Sequence, residues 1–251
     1  MSFALESLLW LVVATLSMLL LKRWIHRHAQ GIGLLLTGNA DGAFLIYSAL
    51  LFPGTFVHEL AHYVAAFFLD VRVRRFSIVP AKQPRGLMRL GFVEIERTDT
   101  LREALIGFAP LLAGTVIILL IAPRELPTLQ GDVSLTVELG NLLASLPRAL
   151  GAPDFWLSLY FIFAVSNGML PSESDRQAWK PIFIWFAAIA ALLYLSGAIN
   201  DVPESIDRGI ASSVRWIVRA FLLAVIVDLL FVPLIFFAEK LLESIKQQHV
   251  L

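Results

Sequence analysis

The feature that most limits what this chain can fold into is a series of apolar blocks. Each is about 20 residues long, enough to cross roughly 30 Å of hydrocarbon as a helix. Six are read, at approximately residues 3–21, 43–69, 103–121, 154–170, 181–195 and 214–238. Residues of turn chemistry separate them, as in Gly38-Asn39-Ala40-Asp41-Gly42, Gly151-Ala152-Pro153 and Pro171-Ser172-Glu173-Ser174. The chain is 58 % hydrophobic with a mean hydropathy of +0.76, where a soluble domain is about half apolar. The expected fold is an all-α polytopic membrane protein of about six transmembrane helices, one domain over residues 1–251, with the lipid bilayer as its surroundings. The first block has no basic residues before it and no small-residue cleavage site after it, so it reads as a retained helix and not a signal peptide.

Two segments depart from this pattern. Runs 71–79 and 87–95 are rich in β-branched residues and alternate in polarity, with Pro80, Pro84 and Gly86 between them. A small membrane-associated β-hairpin is expected there, directly after the second block. In 128–150, Val133 to Val137 alternates while Leu142, Leu143, Leu146 and Leu150 recur with helical spacing. That stretch is expected along the membrane surface.

Charge and cysteine content exclude several chemistries. A formal net charge of +0 gives no basic face for nucleic acid, so no nucleic-acid partner is expected. With no cysteine, disulfides, thiolate nucleophiles and Cys-ligated zinc are all ruled out. Lys and Arg favour one side of the membrane by twelve to eight, counting the hairpin with Arg176, Lys180, Lys240 and Lys246. The positive-inside rule then puts both termini, and the side nearest the motif described next, in the cytoplasm.

The second block holds His58-Glu59-Leu60-Ala61-His62. Histidines four apart project from one helical face, one turn apart, so both can reach one Zn²⁺. Glu59 sits one step round the helix, where it can act on a water at the metal without taking a ligand position. Charged side chains at mid-membrane cost about 2.5–3.5 kcal/mol each on insertion scales, and intramembrane ionisable residues are functional by default. A catalytic zinc takes a third protein ligand. The candidates are Asp175, Glu173, the hairpin acids Glu94 and Glu96, and Asp70. Asp175 is preferred because the fourth block ends on the side toward which the motif helix runs, and Ser166-Asn167-Gly168-Met169-Leu170-Pro171 allows it to unwind into a shared polar cavity. An exposed edge of the hairpin, around Phe76, Ser77 and Ile78, is expected either to pair with an unwound substrate segment as an added strand or to serve only as a basic membrane-surface anchor. Gly107 and Gly114, seven apart on one helical face, are expected to serve ordinary helix packing, with close approach of the third block to the motif helix as the alternative. Asp228 in the last block is expected to pair with Ser212, Ser213 or a neighbouring helix, and Pro233 to kink that block.

Three stretches together resemble the site-2 protease family of intramembrane zinc metalloproteases. They are residues 56–66 running into 71–78, Gly107-Phe108-Ala109-Pro110-Leu111-Leu112-Ala113-Gly114, and the element from Asn167 to Asp175. The resemblance covers roughly residues 43–180 and marks these as the catalytic core. It implies one zinc ion held by His58, His62 and Asp175, with Glu59 as catalytic base and Asn167 positioning the scissile peptide. It implies a zinc metalloendopeptidase that hydrolyses peptide bonds within transmembrane substrate proteins. Arg176 stands where the family has a glycine. Two other readings are a membrane zinc peptidase with a glutamate as third ligand and a non-catalytic zinc-binding scaffold.

Overall fold

Buried backbone N–H and C=O groups need partners, and helix supplies them within each apolar run. The computed structural model describes residues 3–82, 88–122, 140–197 and 204–246, apart from 142, 146, 149 and 152. It is dominated by helices: α1 (Phe3–Thr37), α2 (Ala40–Leu50), α3 (Phe52–Phe68), α4 (Thr100–Ile121), α5 (Phe155–Met169), α6 (Trp179–Leu195) and α7 (Glu204–Lys246). Between α3 and α4 lie β1 (Val73–Ser77), β2 (Ala81–Lys82), β3 (Met88–Arg89) and β4 (Phe92–Ile95). The alternating Val133–Val137 run lies outside the described residues.

Among the described residues, three helices are long and apolar enough to cross a membrane: α1 from Glu6, α4, and α7 from Arg208. The expected second span is broken. Its halves, α2 and α3, meet at an angle of 73°. Pro53 lies in the first turn of α3, where its missing N–H costs nothing, whereas inside a continuous helix it would remove a hydrogen bond. If the bent pair counts as one span, four such spans are present. Helices α5 and α6 have 15 and 17 residues, about 23 and 26 Å of helix, which is shorter than the hydrocarbon core. Helix α7 continues through Pro233.

Helix α1 runs past Leu21, its expected end, because the polar residues that follow find partners. His26 Nδ1 lies 2.8 Å from the Tyr47 hydroxyl on α2, and His28 pairs with Glu239 on α7. Further along, Lys246 donates to the Leu35 carbonyl. These contacts align α1 and α7 in parallel, so Phe3 and Lys246 lie at opposite ends of the pair. The expectation of both termini on one face assumed spans that alternate in direction, and this packing departs from it.

Helix α5 is central. It runs antiparallel to α7, with Phe163 stacked on Phe231 at 4.1 Å between ring centroids. It runs parallel to α3, where Gly54 meets the Ala164 carbonyl and Gly168 meets the Gly54 backbone, contacts with no room for a Cβ. The close approach of α4 to the motif helix, the alternative for Gly107 and Gly114, takes a different form. Gly107 faces the Asp175 backbone and Gly114 faces Met169, so both glycines admit α5 and the loop after it.

Helix α3 ends in a Schellman turn: Val71 N–H bonds to the Ala66 carbonyl at 2.9 Å and Asp70 N–H to that of Phe67 at 3.2 Å. Asp70 takes the left-handed position, φ 55°. The chain is thereby turned back at once into the expected hairpin. Strand β1 pairs antiparallel with β4 and β2 with β3, with an irregularity between Val73 and Arg75.

Candidate metal centre

His58 and His62 project from α3 as their spacing requires, and their Nε2 atoms are 3.1 Å apart. The Nδ1 atom of His58 lies 2.9 Å from the Gly168 carbonyl at the end of α5. That of His62 lies 2.9 Å from the Ile106 carbonyl on α4. A carbonyl only accepts, so each Nδ1 donates, and in the neutral ring the lone pair falls on Nε2. The two imidazoles are thus oriented by two different helices.

Asp175 closes the group from the loop beyond α5. Its Oδ2 is 3.5 Å from His58 Nε2 and its Oδ1 is 3.3 Å from His62 Nε2. Tetrahedral ligands at about 2.0–2.1 Å from a zinc ion stand about 3.3 Å from one another, so these separations fit a small cation. The chemistry of the set points the same way, since three electron-pair donors face one another and a shared positive charge relieves them. His58, His62 and Asp175 form the group among the described residues that could hold a metal ion.

The loop holds its aspartate locally. Ser172 N–H donates to Asp175 Oδ2 at 2.7 Å, and Asp175 N–H donates to Ser172 Oγ at 3.3 Å. The Arg176 guanidinium turns back to the Ser172 carbonyl at 3.3 Å, so the residue that stands in place of glycine helps to close the loop. Burial pushes the Asp175 carboxyl up, but interactions with His58, His62 and Ser172 outweigh it and hold it below the usual carboxylate range.

These groups open on a cavity of about 760 Å³, bounded by α3, the start of α4, the 172–178 loop and β4, a size within the range of ligand sites. Glu59 lines it and is only 7 % exposed. Arg89, Gly91 and Glu103 also line it, and sequence reasoning did not single them out for the site. Gly91 is the informative one, because a Cβ there would come within 2.7 Å of Glu59 Cγ and 3.0 Å of the Ser77 carbonyl.

Other expected site residues stand elsewhere. Phe76, Ser77 and Ile78 do not line the cavity; the returning strand, through Phe92, Val93 and Ile95, does. Phe76 instead packs on Tyr63, on the outer side of α3. Their strand, β1, is the paired neighbour of β4, with Phe76 opposite Val93 and Ser77 opposite Phe92. Asn167 is 2 % exposed and is not a lining residue; its amide donates to the Phe163 carbonyl and to Asp228. Asp228 pairs with a neighbouring helix, as one of its expected alternatives had it. Among the rival ligands, Glu94 lies 3.9 Å from Arg75 and Glu96 3.0 Å from Arg74, while Glu173 lines the cavity outside the three-residue group.

Comparison of the chain with protein-family models, with curated proteins and with solved structures finds no match in any of the three.

Proposed function

We propose that this chain is an intramembrane zinc metalloprotease of the site-2 type, which cuts peptide bonds in transmembrane segments of other proteins. The observation that carries this reading is the approach of Asp175, from a loop far along the chain, to within 3.5 Å of both motif imidazoles. Two histidines one turn apart recur by chance, but a convergent carboxylate with an acid beside the pair is what hydrolytic zinc sites use. The apolar outer faces of the long helices, with Leu20, Leu120 and Phe237 each at least 70 % exposed, favour a lipid setting. The basic residues of the hairpin itself, Arg72, Arg74, Arg75 and Arg89 among them, favour a cavity mouth on the cytoplasmic side.

His58, His62 and Asp175 would hold the zinc, which when bound supplies Lewis acidity and lowers the pKa of water toward 7. Glu59 takes the proton from the water that attacks the peptide carbonyl. It then delivers that proton to the departing amine as the C–N bond breaks. Gly91 leaves the Glu59 carboxylate room beside the hairpin. Strand β4 runs along the cavity, so a substrate segment that unwinds can satisfy its freed backbone groups against extended chain. Phe76, Ser77 and Ile78, on and just after the partner strand β1, stand outside the cavity lining.

The test is metal analysis of the purified full chain beside Glu59→Gln, with a panel of single-span substrates. The expected outcome is zinc retained in both and cleavage lost in the variant. A wild-type chain that holds zinc and cleaves no substrate in the panel would favour the scaffold reading instead.

A further inference from the structure

Asp228 is a buried acid that the proposed chemistry does not use, at 1 % exposure. Its Oδ1 accepts from Asn167 Nδ2 at 3.0 Å and from Ser166 Oγ at 3.1 Å. These two donors sit immediately before Gly168, whose carbonyl accepts from His58 Nδ1 at 2.9 Å. The carboxylate of α7 therefore grips the turn of α5 that orients a metal ligand. That turn is also the one seated on α3, through the contact of Gly168 with the Gly54 backbone.

Asn167 is engaged on its other side as well. The Tyr47 hydroxyl can donate to His26 Nδ1, 2.8 Å away, which leaves the His26 proton on Nε2. His26 interacts with the Asn167 side chain. Both His26 Nε2 and Asn167 Oδ1 are buried and make no hydrogen bond, a donor and an acceptor of matching kind. Residues from α2, α1, α5 and α7 thus converge on one amide, the residue before the carbonyl that His58 needs.

We propose that Asp228 is a positioning residue for the metal centre, acting through Asn167 and Ser166 to fix the Gly168 carbonyl and with it the His58 ring. The proposal rests on the metal reading above, and it gives Asn167 a supporting role distinct from direct contact with a scissile peptide. Hydrogen-bond partners of a ligating histidine orient the ring and raise its basicity, and their loss typically weakens metal binding by about 10–100-fold. Asp228 acts one bond further out, so the lower part of that range is expected.

The experiment measures zinc affinity by chelator competition, and the visible spectrum of the Co²⁺-loaded chain, in detergent-solubilised full-length protein. Asp228→Ala is expected to weaken zinc about tenfold and to shift the Co²⁺ bands, which report ligand geometry. Asp228→Asn keeps an acceptor oxygen for both donors and is expected to restore binding to within about threefold of wild type. Because Asp228→Ala strands two buried donors and can unfold the chain, the double variant Asn167→Leu with Asp228→Leu is measured beside it. Replacing both partners with apolar groups of similar shape is close to neutral for folding, yet the same weakening and spectral shift are expected. If wild type binds zinc and the folded double variant binds it as tightly with an unchanged Co²⁺ spectrum, the positioning role is overturned alone. If wild type takes up no zinc, the metal reading and the positioning role fall together.

Discussion

Gly91 on the hairpin lies directly against Glu59 on α3: a Cβ built on Gly91 would stand 2.7 Å from Glu59 Cγ and 3.2 Å from its Cδ. Gly91→Ala must displace either the acid or the hairpin, at a cost of about 1–3 kcal/mol for an overpacked site. If that cost falls on the geometry of the base, peptide hydrolysis drops about tenfold or more. The metal ligands are not touched, so zinc content is expected to stay at the wild-type level. Parallel assays of turnover and bound metal check both halves.

The third ligand is tested by paired substitutions. Asp175→Ala removes the carboxylate that lies within 3.5 Å of both imidazoles, and loss of bound zinc on dialysis is expected. Glu94→Ala removes an acid whose nearby partner is Arg75 and is expected to leave zinc in place. The reverse result would assign the ligand to the hairpin.

Two glycines in helices predict opposite signs. A Cβ at Gly54 would come within 1.8 Å of the Ala164 carbonyl, so Gly54→Ala has to push α3 off α5. A loss of about 1–3 kcal/mol is expected, with weakened zinc binding because the His58–Gly168 contact spans the same seam. Gly209 on α7 has nothing within 4 Å of a built Cβ. There Gly209→Ala is expected to stabilise by about 0.5–1 kcal/mol, from helix propensity alone. Thermal unfolding in detergent distinguishes the two.

The start of α4 carries a pH dependence. Asp99 caps the helix by accepting from Arg102 N–H at 3.0 Å, and that bond holds its carboxyl below the usual range. A carboxyl lowered in the folded state contributes stability above its unfolded pKa, about 3.9, and loses it as pH falls through the folded value. Amide-exchange protection at Arg102 is therefore expected to persist at neutral pH and to fall in strong acid. Asp99→Asn keeps the cap without the titration, so its protection is expected to be flat over the same range.

The residues that recur locally were legible, and those that depend on a distant partner were not. The four-residue spacing of His58 and His62 dictates a shared face whatever surrounds it, and the alternation in 71–95 dictates extended chain. Asp175 could be favoured from the direction of the helices because the site needed an acid from the same end of the bundle. The strand facing that site was not accessible in this way, since its place in the cavity wall is set with the 172–178 loop, much further along the chain. Helix α1 misled for a related reason: Lys22, Arg23, His26, Arg27 and His28 look like a helix end until Tyr47 is found beside His26 and Glu239 beside His28. Asp228 carried a local signal of importance but no address, because its partners lie on a helix 61 and 62 positions away.

The origin of the three metal-site residues has a consequence for biosynthesis. His58 and His62 leave the ribosome long before Asp175, and the carbonyls that orient them belong to Ile106 and Gly168. A nascent chain halted anywhere before the 172–178 loop presents the two imidazoles and an acid without the carboxylate that completes the set. On the proposed reading, competence to cut would therefore arrive late, when that loop brings Asp175 against the Gly107 backbone of α4, and an unfinished chain would leave its neighbours in the membrane intact.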